Sequence, residues 1–155
     1  TSRRQRQMCI RDSDYTERSG PQRVRDFLPN RADTLVNKRF ALINVWRPIV
    51  GPVLQTPFAV IDASSISKED LIATDLVYTD RVGQIYTVQN NANHRWLYLS
   101  HMQHEEVMLL KCFDSDEGVT GRFTAHSAFE LTLQQNDSEP LPGRQSIEVR
   151  TLVFY

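Results

Sequence analysis

Three side chains late in the sequence have the types and spacing of a chemical site. His126 stands alone in "RFTAHSAFEL" (122–131), and two arginines follow 18 and 24 residues later, Arg144 and Arg150, in "GRQSIEVR" (143–150). An imidazole serves as a metal ligand or proton carrier, and a guanidinium pairs with a carboxylate through two parallel hydrogen bonds. If residues 144–154 form a strand, Arg144, Ser146, Glu148, Arg150, Leu152 and Phe154 share one face. Ile147, Val149 and Val153 then take the other face, where ordinary core is expected. At about 3.3 Å per residue the two arginine Cα atoms lie about 20 Å apart, and inward reach brings their guanidinium groups to roughly 6–8 Å. That gap suits a short dicarboxylate gripped at both ends. The alternative is that each arginine pairs locally with an acid such as Glu148, or lies at a strand end in solvent, with His126 a hydrogen-bonded core residue. The small neighbours Thr124 and Ala128 leave room around the imidazole, and Leu152 and Phe154, continuing the arginine face, are the expected apolar cavity wall.

The elements that must carry these residues are mostly strands. From Pro21 to Arg39 the spacing is helical, interrupted at Pro29, with Asn30 expected to cap a second short helix. The period then changes. Segments 40–48, 57–63, 75–79, 84–89, 94–100, 105–113, 122–131 and 146–155 are short, aromatic or β-branched, and separated by Gly, Pro, Asn or Asp. One small helix is expected at "SKEDLIA" (67–73), capped by Ser67 with Asp70 in its first turn. Eight strands with turns about every ten residues predict a sandwich, jelly roll or barrel rather than a parallel α/β sheet.

Composition bounds the reading further. With 155 residues, 40% hydrophobic and 24% charged, one globular domain accounts for the chain. No run reaches the ~18 apolar residues of a membrane span, so a cytoplasmic protein without membrane contact is expected. Cys9 and Cys112 form no spacing pattern. The net charge is −1, yet residues 1–13 hold four arginines and one aspartate, which leaves the remainder at −4. An acidic body argues against nucleic acid as a partner and leaves a small molecule as the expected one. "TSRRQRQMCIRDS" (1–13) has no apolar period or turn chemistry and resembles translated sequencing-adapter read-through. It is read as a non-native segment, or else as a disordered basic arm, and residues 14–155 as a partial, N-terminally truncated domain.

The interval from His126 to the two arginines resembles that of the iron(II)/2-oxoglutarate dioxygenases with a double-stranded β-helix, in particular the nucleic-acid demethylase branch. More of the chain resembles a narrower family. "INVWRPIVGPV", "PFAVIDASSI", "HRWLYLSHMQHEEVMLLKCFDS", "RFTAHSAF" and "RQSIEVRTLVF" are together similar to the bacterial and fungal oxidoreductases that include the gibberellin desaturase and the cephamycin-methoxylation protein. The resemblance implies a mainly β jelly roll with a few short helices. It implies Fe(II) as metal and 2-oxoglutarate as cosubstrate, with a small organic metabolite oxidised by hydroxylation, desaturation or ring formation. It makes His126 a metal ligand, places Arg144 at the far carboxylate of 2-oxoglutarate and Arg150 at the nearer end, in an order that can be reversed, and makes Asp14, just ahead of "YTERSGPQRVRDFLP", the metal carboxylate.

A facial triad takes two histidines and one carboxylate, and the first pair usually reads His-x-Asp. Two residues before Asp14 stands Asp12. The site as written is therefore expected to keep Asp14 and His126 and to lack its third ligand, with low activity for this chain. Two rival readings remain: a noncatalytic jelly-roll module that binds an anionic ligand through the arginines, and a metal cupin that works without 2-oxoglutarate. Other polar residues have plainer expectations. His101, His104, Glu105 and Glu106 read as a solvated turn, His94 as a packed or hydrogen-bonded residue, Asp114 as a turn residue, "NDS" (136–138) as an uninformative sequon, and Asn44 or Arg47 as either substrate contacts or strand-end structure.

Overall fold

The fold was analysed from a computed structural model that describes residues 12–131 and 141–155; Cys9 and the 136–138 sequon lie outside them. The first element is a two-residue strand, β1 (Asp12–Ser13), so sheet pairing already begins ahead of Asp14. Helix α1 (Ser19–Phe27) follows. It starts where the Thr16 hydroxyl accepts the amides of Arg18 and Ser19, and it stops just before Pro29, whose ring disfavours helical geometry in the preceding residue. The short α2 (Ala32–Leu35) is preceded by Arg31 rather than by the expected cap Asn30.

The remaining strands are β2 (Phe40–Pro48), β3 (Phe58–Ile61), β4 (Leu71–Val77), β5 (Val82–Val88), β6 (Trp96–Tyr98), β7 (Met108–Asp114), β8 (His126–Ala128) and β9 (Ser146–Phe154). They make two antiparallel sheets, ordered β4-β5-β1-β8-β3-β6 and β7-β2-β9. The core lies between them: Phe40, Leu42, Trp46, Leu110, Cys112 and Phe113 from the smaller sheet meet Phe58 and Val60 from the larger. Trp46 stacks on Phe58 across the layers at 5.0 Å between centroids, and within the smaller sheet Phe40 stacks on Phe113 at 5.3 Å. This is the mainly β jelly roll that the strand count and the resemblance implied.

Two expectations are corrected. Residues 67–73 form no α-helix; Lys68–Asp70 make one 3₁₀ turn, closed by a reciprocal Ser67 and Asp70 capping box, and Leu71 already opens β4. Ile and Thr in "LIATDLV" favour the extended form, so the capping chemistry was legible while the helix it announced was not. The second correction concerns β9. Its even positions stand opposite Phe40, Leu42, Asn44 and Trp46 of β2, all buried, so they face inward. Ile147 and Val149 point outward and are 51% and 54% exposed. Both faces of this strand carry apolar residues, so alternation alone did not decide which one is buried.

Candidate metal and cosubstrate site

Asp12, Asp14, His126, Asn44, Cys112, Glu148 and Arg150 converge at one end of the space between the sheets. β8 lies between β1 and β3, and the register puts Asp12 directly opposite His126. The imidazole stacks on Phe58 at 5.2 Å, and its Nδ1 lies 2.9 Å from the carbonyl of Thr124. A carbonyl only accepts, so Nδ1 carries the proton of this contact and Nε2 is the nitrogen turned toward the acids. Nε2 is 3.9 Å from Asp12 Oδ1 and 4.0 Å from Asp14 Oδ2.

Asp14 is braced on both oxygens. Arg150 Nη2 donates to Oδ1 at 3.2 Å, while Asn44 Nδ2 donates to Oδ2 at 2.6 Å and the Cys112 thiol to the same oxygen at 3.4 Å. Asn44 is fully buried in the middle of β2, opposite Arg150 in register. Cys112 arrives through a bulge: β2 pairs Leu42 with Phe113 and Ile43 with Lys111, leaving Cys112 as the extra residue, re-aimed toward the site. Burial, then the charge of Asp14, pushes its thiol pKa far up, so it stays protonated and donates. Burial raises the Asp12 carboxyl above its usual value, with His126 opposing and Asp14 adding to the effect.

The two arginines take different surroundings. Arg150 donates through Nε to Glu148 Oε1 at 2.8 Å as well as to Asp14; burial is the largest single influence and works against its charge, but Asp14, Tyr15 and Glu148 together outweigh it and the pKa is raised. The local pairing with Glu148 weighed above is therefore present, alongside the bond to Asp14. Arg144 donates to the carbonyl of Thr56 at 2.7 Å and lies 5.6 Å over the Trp46 ring. Burial lowers its pKa, and it has no carboxylate partner among the described residues. Arg144, Trp46, Phe58 and His126 thus form one continuous stack. Leu152 and Phe154 pack against the core, Phe154 at 6.2 Å from Phe40, and are not among the residues that line the groove at the site.

The donor atoms fit one divalent cation. Metal to nitrogen or oxygen bonds of about 2.1 Å let a single ion bridge donors up to about 4 Å apart, and the separations from His126 Nε2 lie at that limit. Asp14, Cys112 and His126 place their side-chain ends within 4.8 Å of one another; with the thiol protonated, the imidazole and the carboxylates of Asp14 and Asp12 are the donors that remain. Carboxylate and imidazole suit iron(II). The residue opposite His126 is the acid Asp12.

The remaining polar residues lie elsewhere. His94 is buried with Nε2 3.1 Å from Asp70 Oδ2, and Asp70 is held well below the usual carboxylate range by the Ser67 amide, then by Asn91 and His94. His104 pairs with Glu105 in an exposed turn, as expected. Asp114 is more than a turn residue: it is buried and bonded to Arg39 and Lys111. Asn44 and Cys112 were the residues that sequence reading undervalued. The signal was available, since a lone amide within "FALINVWRP" must find partners when its strand is buried.

Comparison with known proteins shows the family. Residues 3–154 match the family described as the oxidoreductase/YMDC permease-like domain. Aspirochlorine biosynthesis protein N of Aspergillus oryzae is 40% identical over 136 residues, which cover 86% of this chain and 56% of that protein. The Fe(II)/2-oxoglutarate-dependent dioxygenase nvfI of Aspergillus novofumigatus is 35% identical over 122 residues, 77% of this chain and 42% of that one. The solved iron and alpha-ketoglutarate-dependent endoperoxidase NvfI superposes with a TM-score of 0.84 at 30% identity, over 94% of this chain and 53% of that one. The chain spans about half the length of the curated relatives it matches. It belongs to the oxidoreductase/YMDC permease-like domain family, among the relatives of the Fe(II)/2-oxoglutarate-dependent enzyme NvfI.

Proposed function

We propose that this chain is the catalytic jelly roll of an Fe(II)/2-oxoglutarate-dependent oxidoreductase, of hydroxylase or desaturase type, acting on a small organic metabolite. The observation that carries it is the meeting of His126 Nε2 and Asp14 Oδ2 at 4.0 Å, with Arg150 bonded to the same carboxylate. In this reading Asp14 and His126 hold iron, which supplies the oxidising chemistry with oxygen and 2-oxoglutarate when bound. The protein residues supply orientation and charge. Arg150 serves the metal end, where it fixes Asp14, and Arg144 offers its guanidinium to the far carboxylate. A half-buried cation with no acid among the described residues is costly unless an anion joins it, which supports that assignment over solvent exposure. The names of the relatives favour the oxygenase over a noncatalytic module or a cupin that needs no 2-oxoglutarate. A cytoplasmic setting, where ferrous iron and 2-oxoglutarate are available, accompanies the proposal; no helix among the described residues is long and apolar enough to cross a membrane.

Succinate release coupled to oxygen consumption tests the reading. With Fe(II) and 2-oxoglutarate, Arg144→Ala is expected to raise the 2-oxoglutarate concentration needed for half-maximal turnover about 10- to 100-fold, the loss of one charge-assisted bond pair. Metal affinity should stay unchanged in that variant. Turnover insensitive to Arg144→Ala and Arg150→Ala would remove 2-oxoglutarate from the account.

A further inference from the structure

A groove of about 900 Å³ opens from Asp12, Asp14 and Arg150 and runs outward between α1 and the β4–β5 hairpin. Its outer part is apolar and unusually open for such residues: Phe27, Tyr78 and Val82 are 65%, 48% and 52% exposed. Large apolar side chains grouped in a concave, polar-rimmed surface mark a binding site rather than ordinary surface. Charge along the groove is uneven. At the inner end two carboxylates face Arg150. Further out, Asp26 is paired with Arg23 at 3.6 Å, and Arg23 lies 5.6 Å over the Phe27 ring. Arg81 lies 5.0 Å over Tyr78. Arg18 and Arg81 are both exposed groove residues that form no ion pair with any described residue. The groove therefore joins aromatic faces to two guanidinium groups that have no ion-pair partner among the described residues.

We propose that the substrate is an amphiphilic organic anion: an apolar or aromatic body lies on Phe27, Tyr78 and Val82, and its carboxylate or similar group meets Arg18 and Arg81. The inference rests on the oxygenase reading, which makes the inner end the place of reaction. A neutral lipophile would use the walls and leave both cations unmatched.

A matched pair of probes, 2-naphthoate and the isosteric neutral 2-naphthamide, tests this by calorimetry on the full chain with Co(II) and saturating 2-oxoglutarate under nitrogen. Naphthoate should bind about tenfold more tightly, one charge-assisted contact expressed as an affinity ratio. Arg18→Gln with Arg81→Gln should abolish the preference, and Phe27→Ser should weaken both probes alike. Equal affinities, no binding of either probe, or a preference that survives the double variant would overturn the proposal. Co(II) uptake is read separately by visible absorption. If neither the chain as written nor its Asp12→His variant takes up Co(II), the oxygenase reading fails; a Co(II)-loaded chain without the naphthoate preference fails the groove proposal alone.

Discussion

Asp14 is the residue on which the other site contacts converge. Arg150, Asn44 and Cys112 all donate to its carboxylate, and His126 faces it. Such donors set the direction in which a ligand points, and their loss typically costs metal affinity about 10- to 100-fold. Asn44→Ala removes a donor shared between Asp14 and Glu148. Isothermal titration with Co(II) should show affinity falling about tenfold, and the melting temperature should fall as well, because two part-buried carboxylates lose a partner. An unchanged affinity would show that Arg150 alone orients Asp14. At this scale His126 and Arg150, which meet at Asp14, were singled out by type and interval, and Asp14 by the resemblance; Arg144 was singled out with them but lies on Thr56 and Trp46. Asn44 was noticed without its role, because only the pairing of β2 with β9 places its amide between two acids. Cys112 was illegible because a bulge, invisible to strict alternation, aims it inward.

Helix α1 and the sheets are locked together by one close approach. A Cβ added to Gly20 would come within 2.7 Å of the Phe113 ring, nearer than real contacts allow, and Val24 one turn later is fully buried. Gly20→Ala must push α1 off β7 or displace Phe113, so overpacking of about 1–3 kcal/mol is expected, read as a lower denaturant midpoint. The same shift would move the α1 wall of the groove, including Phe27. An Ala variant of native stability would show that the helix is not held at this point. Strands β2, β7 and β9 were legible because aromatic and β-branched runs ended at turn residues. β1 was not: two residues carry no period, and their strand exists only because β5 and β8 flank them.

At the scale of the molecule, the two-sheet fold brings a residue near the start of the described chain against one near its end, and that closure creates the site. The sequence carried the jelly roll in its strand count and turn spacing, but not the inward face of β9, which the opposing β2 decides. The outer face of the smaller sheet stays apolar, with Leu109 and Val149 both in register with Val45 and 68% and 54% exposed. Asp12 stands opposite His126 across paired strands, at the position where the proposed triad would call for an imidazole. Metal titration of three forms of the chain, followed by Co(II) absorption, therefore tests the central claim most directly. Asp12→His should tighten binding about tenfold or more over the chain as written, and His126→Ala should reduce it by at least about as much, since each ligand bond adds to a shared site. Binding that ignores both substitutions would contradict a metal centre built on Asp14 and His126.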